Sequence, residues 1–398
     1  MTLDALVRHA GAAGHEQAAI VGTPADDPDP PVADLPPASV HPLRFGPGGP
    51  GGPESPGGSA CGFLLPGMSD VMPYPSRRFS DLAAAELAAY RDAWTAHVAP
   101  VVAAFRPDVI HAHHLWLLSA MVARSHPSVP VVIHSHATGL RQMELCPHLA
   151  DEVRAGCARA RHVVALHRLH ADRIRAALDL PAGRVSVVGA GYRDDLFSRG
   201  TGGARDPGAI VYAGKYSAAK GLPHLLDAFE RIAERRPDAT LHVVGDGAGD
   251  EAEALRARMT AMAPRVVLHG MVSQARLAEL LRRAQVLALP SFYEGLPLVL
   301  VEAYACGCRL VATGLPVVTE ELGPALGDAL HVVAAPGMID VDRPRPEGLP
   351  AFGGELTAAL LAALDAPPVA PKPAVLARFG WRAVYERVET VWRQVAGG

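Results

Sequence analysis

Short apolar runs alternate with helix-patterned stretches along most of the chain, and this alternation limits what it can fold into. VPVVIH (129–134), HVVA (162–165), AIVYA (209–213), LHVV (241–244) and VLAL (286–289) read as strands buried on both faces. Between such runs the periodicity changes. Leu222, Leu225, Leu226, Phe229 and Ile232, for example, recur at the spacing of one helix face. Apolar strands separated by helices predict parallel sheets covered on both sides. In the first half the same rhythm places helices at 83–105, 115–124, 149–160 and 170–178, and further strands at 108–111 and 185–188.

With 398 residues the chain is too long for one such sheet. The expected fold is α/β, with two doubly wound Rossmann-like domains facing across a cleft. The first covers residues 1–198 and the second 199–375, with the join near Asp195–Asp206. Residues 26–60 are rich in Pro, Gly and Asp and read as a mobile surface loop, with regular pattern resuming near Leu82. Ligands of open α/β sheets bind at the carboxyl ends of the strands, so chemistry is expected there.

Several function classes are disfavoured. Net charge is −4, so no global field recruits nucleic acid. No apolar run approaches the roughly 18 residues of a membrane span, and MTLDALVRHAGAAGHEQ has no signal-peptide core. Only Cys306 and Cys308 are close among five cysteines, and C-G-C has neither redox nor zinc spacing, so reduced thiols are expected. The expected location is the cytoplasm, with room for peripheral contact at the inner membrane face. Oligomeric state is left open.

Only three of the 37 basic residues are lysines, and two of them, Lys215 and Lys220, lie in GKYSAAKG (214–221). That stretch joins a strand to a helix. Free amide groups and the helix dipole gather there and favour an anion, and an ammonium group suits a phosphate oxygen. The bland alternative is two solvated surface lysines. In PSFYEGLPLVLVEAYACG (290–307), Glu294 follows a strand. Glu302 is the one charged residue of the apolar helix after it. A carboxylate in such surroundings must be paired or bound, either to an arginine or to ligand hydroxyls such as those of ribose.

The E-x7-E spacing of FYEGLPLVLVEAYACG resembles the donor motif of retaining family 4 (group 1) glycosyltransferases, which have the GT-B fold. GKYSAAKGL resembles their basic phosphate-binding loop, with Lys215 standing where an Arg is usual. VVGDGAG (243–249), VVLHGMVS (266–273), VVGAGYRDDLF (187–197) and GWRAVYERV resemble further segments of that family, the last being a closing helix within 376–398 that returns to the first domain. The resemblance implies that Glu302 binds the donor ribose and that Glu294 meets the transferred sugar. It implies that Lys215 and Lys220 hold the diphosphate, that Gly295 and Leu296 add backbone amides, and that Met271 and Val272 border the base. His136 is implied to contact donor sugar and phosphate, so His136, Lys220 and Glu294 are the catalytic candidates.

The implied activity is metal-independent transfer of a hexose, with retention of configuration, from a nucleotide diphosphate sugar to a hydroxyl acceptor. UDP or GDP sugars lead as donors. A glycan of the cell envelope or an exopolysaccharide, a lipid-linked acceptor or a small molecule would accept the sugar. No cofactor is implied.

IHAHHLW and VVIHSHATG also raise a metal-hydrolase alternative, but H-x-H-x-D-H is broken at residues 114–116 and no acidic cluster follows, so no metal is expected. Ser69 and Asp70 in PGMSDVMPYPS are weak acceptor-side candidates. The G-x-G-x-G at 245–249 lacks the acid that a dinucleotide site needs. The first residues read as a first helix and second strand, so the strand and loop that open related chains are expected to be missing. A nucleotide-sugar-binding protein with little catalysis is therefore a second expectation.

Overall fold

The structure, a computed structural model, describes residues 2–26, 31–46, 61–68, 75–200 and 205–397. The chain divides into two compact units, Met1–Gly189 with Val384–Gly398, and Ala190–Ala383. The division falls before the 198/199 boundary drawn from sequence. Helix Trp381–Ala396 spans the second crossing point.

In the first unit, β1 (Ala19–Pro24) pairs in parallel with β2 (Val40–Phe45). A separate parallel sheet has the order β3 (Ile110–His113), β4 (Val131–His134), β5 (His162–Ala165) and β6 (Val185–Val187). One face packs Ile110, Ala112, Val131 and Ile133 against helices Ala84–Phe105, Leu117–Ser125 and Pro147–Cys157. The opposite face packs Val132 and Val164 against helix Thr2–Ala12 and the C-terminal helix. Strand β2 corrects the loop reading of 26–60. Leu43 and Phe45 alternate into the core, a period-2 signal hidden by flanking Pro and Gly. The rest of that segment lies largely outside the described residues.

The second unit holds one six-stranded parallel sheet. Its strands are β7 (Asp206–Ala213), β8 (Thr240–Val244), β9 (Val266–Gly270), β10 (Ala284–Leu289), β11 (Arg309–Thr313) and β12 (Leu330–Val333). They are ordered β12-β11-β10-β7-β8-β9, so the order reverses at β7 and β10. Ile210 and Tyr212 pack on one face against helices Leu222–Arg235 and Leu349–Asp365. Val211 and Leu287 pack on the other against Gln274–Arg283 and Leu298–Ala305.

Candidate active site

The carboxyl ends of β7, β8, β9 and β10 are tied together by their loops. Gly214 N donates to Val244 O at 3.0 Å, Tyr216 N to Asp246 O at 3.1 Å, Gly245 N to Gly270 O at 2.9 Å and Phe292 N to Ala219 O at 2.9 Å. Two glycines permit this convergence. Gly221 (φ 68°) opens helix Leu222–Arg235, and a Cβ there would overlap Pro290 O. Gly245 (φ 126°) lies against Gly214 O in the same way. The loops therefore meet where the strand order reverses, the usual ligand position in such sheets.

Lys220 Nζ donates to Glu294 Oε1 at 2.7 Å and to Tyr293 O at 3.2 Å, so the two predicted catalytic side chains of this unit meet. Sequence reasoning assigned them to different parts of a ligand, and in the protein alone each holds the other. Both are largely covered, with side chains 27% and 16% exposed. Lys215 is exposed. Its carbonyl accepts a hydrogen bond from the buried Tyr212 hydroxyl at 2.6 Å. Burial, with the Glu294 charge adding to it, pushes the Tyr212 phenol far above its usual range, so it stays a neutral donor. Sequence reading missed Tyr212. The available signal was a phenol within the apolar strand AIVYA.

Glu302 sits in helix Leu298–Ala305 and is 8% exposed. The helix is buried nearly all round because residues 298–305 carry no other polar side chain except Tyr304. Among the described residues no cation pairs with Glu302. Burial raises its carboxyl from 4.5 to about 7. Gly295 and Leu296 lie half-buried in the turn before this helix. Met271 is 74% exposed just past β9, and Val272 packs at the edge of the core. Ser69 and Asp70 lie outside the described residues.

His136 belongs to the first unit, in a histidine ladder across the ends of β3 and β4. His113 Nδ1 lies 3.0 Å from His136 Nε2, and His111 Nε2 lies 3.3 Å from His134 Nδ1. His114 Nδ1 is 3.2 Å from Thr138 Oγ1. The ladder forms because β3 and β4 pair in register, His113 beside His134. Burial first, and neighbouring imidazoles second, hold His113, His134 and His136 well below the ordinary histidine range, and burial alone brings His111 and His114 to about 4. All five rings are therefore neutral near pH 7.

His111, His113 and His134 are close enough to share a metal ion, with ligand atoms within 4.8 Å of one another. Their hydrogen bonding argues against it. Trp392 Nε1 donates to His111 Nδ1 at 2.8 Å, so neutral His111 carries its proton on Nε2, the atom that faces His134. A protonated Nε2 has no lone pair for a metal. Metal-bound imidazoles use their second nitrogen as a donor, and here that nitrogen accepts.

Comparison with known proteins bears on both units. Residues 2–191 match the family model described as glycosyl transferase 4-like domain, and residues 207–335 match glycosyl transferases group 1. A phosphatidyl-myo-inositol mannosyltransferase of Mycobacterium tuberculosis is 28% identical over 298 residues, covering 73% of this chain and 74% of the relative. A D-inositol 3-phosphate glycosyltransferase of Mycobacteroides abscessus is 30% identical over 254 residues, 56% of each chain. Among solved structures, sucrose-phosphate synthase from Thermosynechococcus elongatus superposes with a TM-score of 0.62 at 17% identity, over 96% of this chain and 100% of that one. Anabaena HepE in complex with UDP and glucose gives 0.55 at 18% identity, over 74% and 80%. The fold is the GT-B fold of these neighbours. No helix among the described residues is long and apolar enough to cross a membrane.

Proposed function

The chain belongs to the group 1 glycosyltransferases, and from that premise we propose that it moves a hexose from a nucleoside diphosphate sugar to a hydroxyl acceptor with retention of configuration. One observation carries the reading: Glu302 is a buried carboxylate without a cation among the described residues, in the helix that follows the Lys220–Glu294 pair. A carboxylate so placed has unused acceptor capacity, and vicinal ribose hydroxyls supply two donors to it.

Lys220 and Lys215 would take the diphosphate. When it arrives, Lys220 exchanges part of its bond to Glu294 for a phosphate oxygen, and Glu294 is released toward hydroxyls of the sugar. The charge that develops on the departing diphosphate is stabilised by these ammonium groups, so the reading needs no divalent cation. Amides at Gly295 and Leu296 add donors to the sugar–phosphate link, and Met271 and Val272 border the base. His136, neutral and hydrogen-bonded within the ladder, offers one ring nitrogen to the sugar or phosphate. No side chain is assigned as a nucleophile. The acceptor would be a glycan, a lipid-linked sugar or a small polyol, met in the cytoplasm or at the inner membrane face.

Turnover of UDP-, GDP- and ADP-sugars by the protein and by Lys220→Ala and Glu302→Ala is the test. Both variants should lose transfer, and unchanged rates in both would end this reading. A second reading, nucleotide-sugar binding without transfer, is favoured by the division of the first unit's strands, among the described residues, into two separate sheets. It predicts thermal stabilisation by a nucleoside diphosphate with no transfer to any acceptor.

A further inference from the structure

Lys215 is exposed, and the backbone on both sides of it is held. A peptide unit is planar, so the Lys215 carbonyl and the Tyr216 amide move as one body. The carbonyl accepts from the Tyr212 hydroxyl at 2.6 Å, and the amide donates to Asp246 O at 3.1 Å. The unit before Lys215 is seated as well. Its carbonyl, Gly214 O, lies so close to Gly245 that a Cβ there would overlap it. With both flanking planes fixed, the direction of the Lys215 Cα–Cβ bond is fixed too. Lys220 is organised in another way, through its side chain, by Glu294 Oε1 and Tyr293 O.

The two ends of the 215–216 unit are braced differently. At the amide end, Asp246 Oδ1 accepts from Gly247 N at 2.8 Å and from Arg256 Nη2 at 2.6 Å. Arg256 also donates to Gly247 O at 3.0 Å, and its guanidinium lies 5.7 Å from the centre of the Tyr216 ring. At the carbonyl end stands the Tyr212 hydroxyl. Among the described residues it forms one hydrogen bond, and it is this one. Tyr212 is fully buried near the end of β7, in the core cluster that holds Ile210 and Leu222. Phenylalanine would fill that place equally well, so the hydroxyl, costly to bury without a partner, is what tyrosine adds. Gly214 keeps the approach open: a Cβ there would lie 2.9 Å from the phenol oxygen.

We propose that Tyr212 is a positioning residue for the donor diphosphate: its hydroxyl holds the 215–216 peptide in the plane that presents Lys215 to the phosphates. The inference rests on the reading of Lys215 as a diphosphate ligand and adds a buried residue that acts through it. A lysine side chain loses rotamer freedom when it binds, and a fixed starting direction lowers that cost. Without the hydroxyl, the Lys215 carbonyl turns toward water, which is near because Lys215 is exposed. The same rotation draws the Tyr216 amide off Asp246 O and swings Lys215 out of place.

Calorimetric binding of UDP, GDP and ADP to the unaltered protein, Tyr212→Phe, Lys215→Ala and the double variant tests it. Tyr212→Phe removes one oxygen and keeps the ring, and it should weaken the nucleoside diphosphate by about 3- to 10-fold. Lys215→Ala should weaken it about 10-fold or more. In the Lys215→Ala background, Tyr212→Phe should change affinity by less than about 2-fold, because two residues acting through one contact do not add. A purely structural role would lower Tm and add in full to the Lys215→Ala loss. That result overturns the proposal, as does a Tyr212→Phe protein that binds as tightly as the unaltered one. Hydrogen exchange gives a second readout. The Tyr216 amide should exchange slowly in the unaltered protein and about 10-fold faster in Tyr212→Phe, with the Gly214 and Gly245 amides unchanged. Free exchange at Tyr216 in the unaltered protein overturns the proposal without any variant. If the unaltered protein binds none of the three diphosphates, or if Lys215→Ala binds them as tightly as it does, the reading of Lys215 fails and the inference with it.

Discussion

Replacing Glu302 by Gln should make the protein more stable above neutral pH and at the same time weaken its use of a nucleotide sugar. Glu302 has a carboxyl raised from 4.5 to about 7 by burial. Between those values the folded state binds more protons than the unfolded state. The contribution of this group is fully present below 4.5 and is lost as pH rises through about 7. Each pKa unit corresponds to about 1.36 kcal/mol, so the native protein gives up about 3 kcal/mol across that window. Gln mimics the protonated acid and does not titrate. Near pH 4.5 the two proteins should match. Near pH 8 Glu302→Gln should be more stable by about 3 kcal/mol, and at roughly 2–4 °C per kcal/mol for a unit of this size its Tm rises by roughly 6–12 °C. Discounting for water is small at 8% exposure.

The assay is calorimetric Tm against pH from about 4.5 to 8 for both proteins, with nucleotide-sugar turnover measured in parallel. Turnover should fall at least about tenfold, because an amide replaces a charged acceptor whose hydrogen bonds contribute about 1.5–3 kcal/mol. Two Tm curves that run parallel over the whole range would refute the reasoning, since they would mean that Glu302 ionises as freely in the fold as out of it.

Lys220→Ala should lower turnover by about 10²-fold or more, from the loss of a charge on the leaving diphosphate, and weaken nucleoside diphosphate binding by calorimetry. Gly221→Ala puts a Cβ onto Pro290 O at φ 68° and should cost at least about 1–3 kcal/mol by denaturant unfolding. Burial lowers the folded pKa values of the histidine ladder, so its contribution to stability is present above the ordinary 6.5 and is lost as pH falls toward about 4. Tm should drop through that window, and His111→Asn should reduce the slope. Exhaustive chelation should leave turnover intact, and stoichiometric zinc bound by the purified protein would contradict the tautomer assigned to His111.

Much of the architecture was legible because buried parallel strands are written as continuous apolar runs. AIVYA, LHVV and VLAL mark β7, β8 and β10 within a few residues. Strand β2 was not legible. VHPLRF contains a proline and lies in Pro- and Gly-rich sequence, and its parallel pairing to β1 depends on residues distant in the chain. Lys215, Lys220 and Glu302 could be singled out because each departs from its surroundings, a lysine in an arginine-writing chain or a lone acid in an apolar helix, and Glu294 by its place after a strand and its E-x7-E spacing to Glu302. Tyr212 carried no comparable signal, since tyrosine is an ordinary strand residue until its hydroxyl is seen to meet Lys215 O.

Periodicity, residue type and spacing are local properties. By themselves they determined two α/β halves, the strand–loop–helix position of both lysines and the placing of Glu302 on an apolar helix. Contacts between distant residues belong to tertiary structure alone. It decided that Lys220 and Glu294 hold each other, that Glu302 lacks a cation among the described residues, and that register turns five histidines into one neutral ladder. It also decided that, among the described residues, β1 pairs with β2 in a sheet separate from β3–β6, because which strands pair depends on packing across the sheet and not on either strand's own residues.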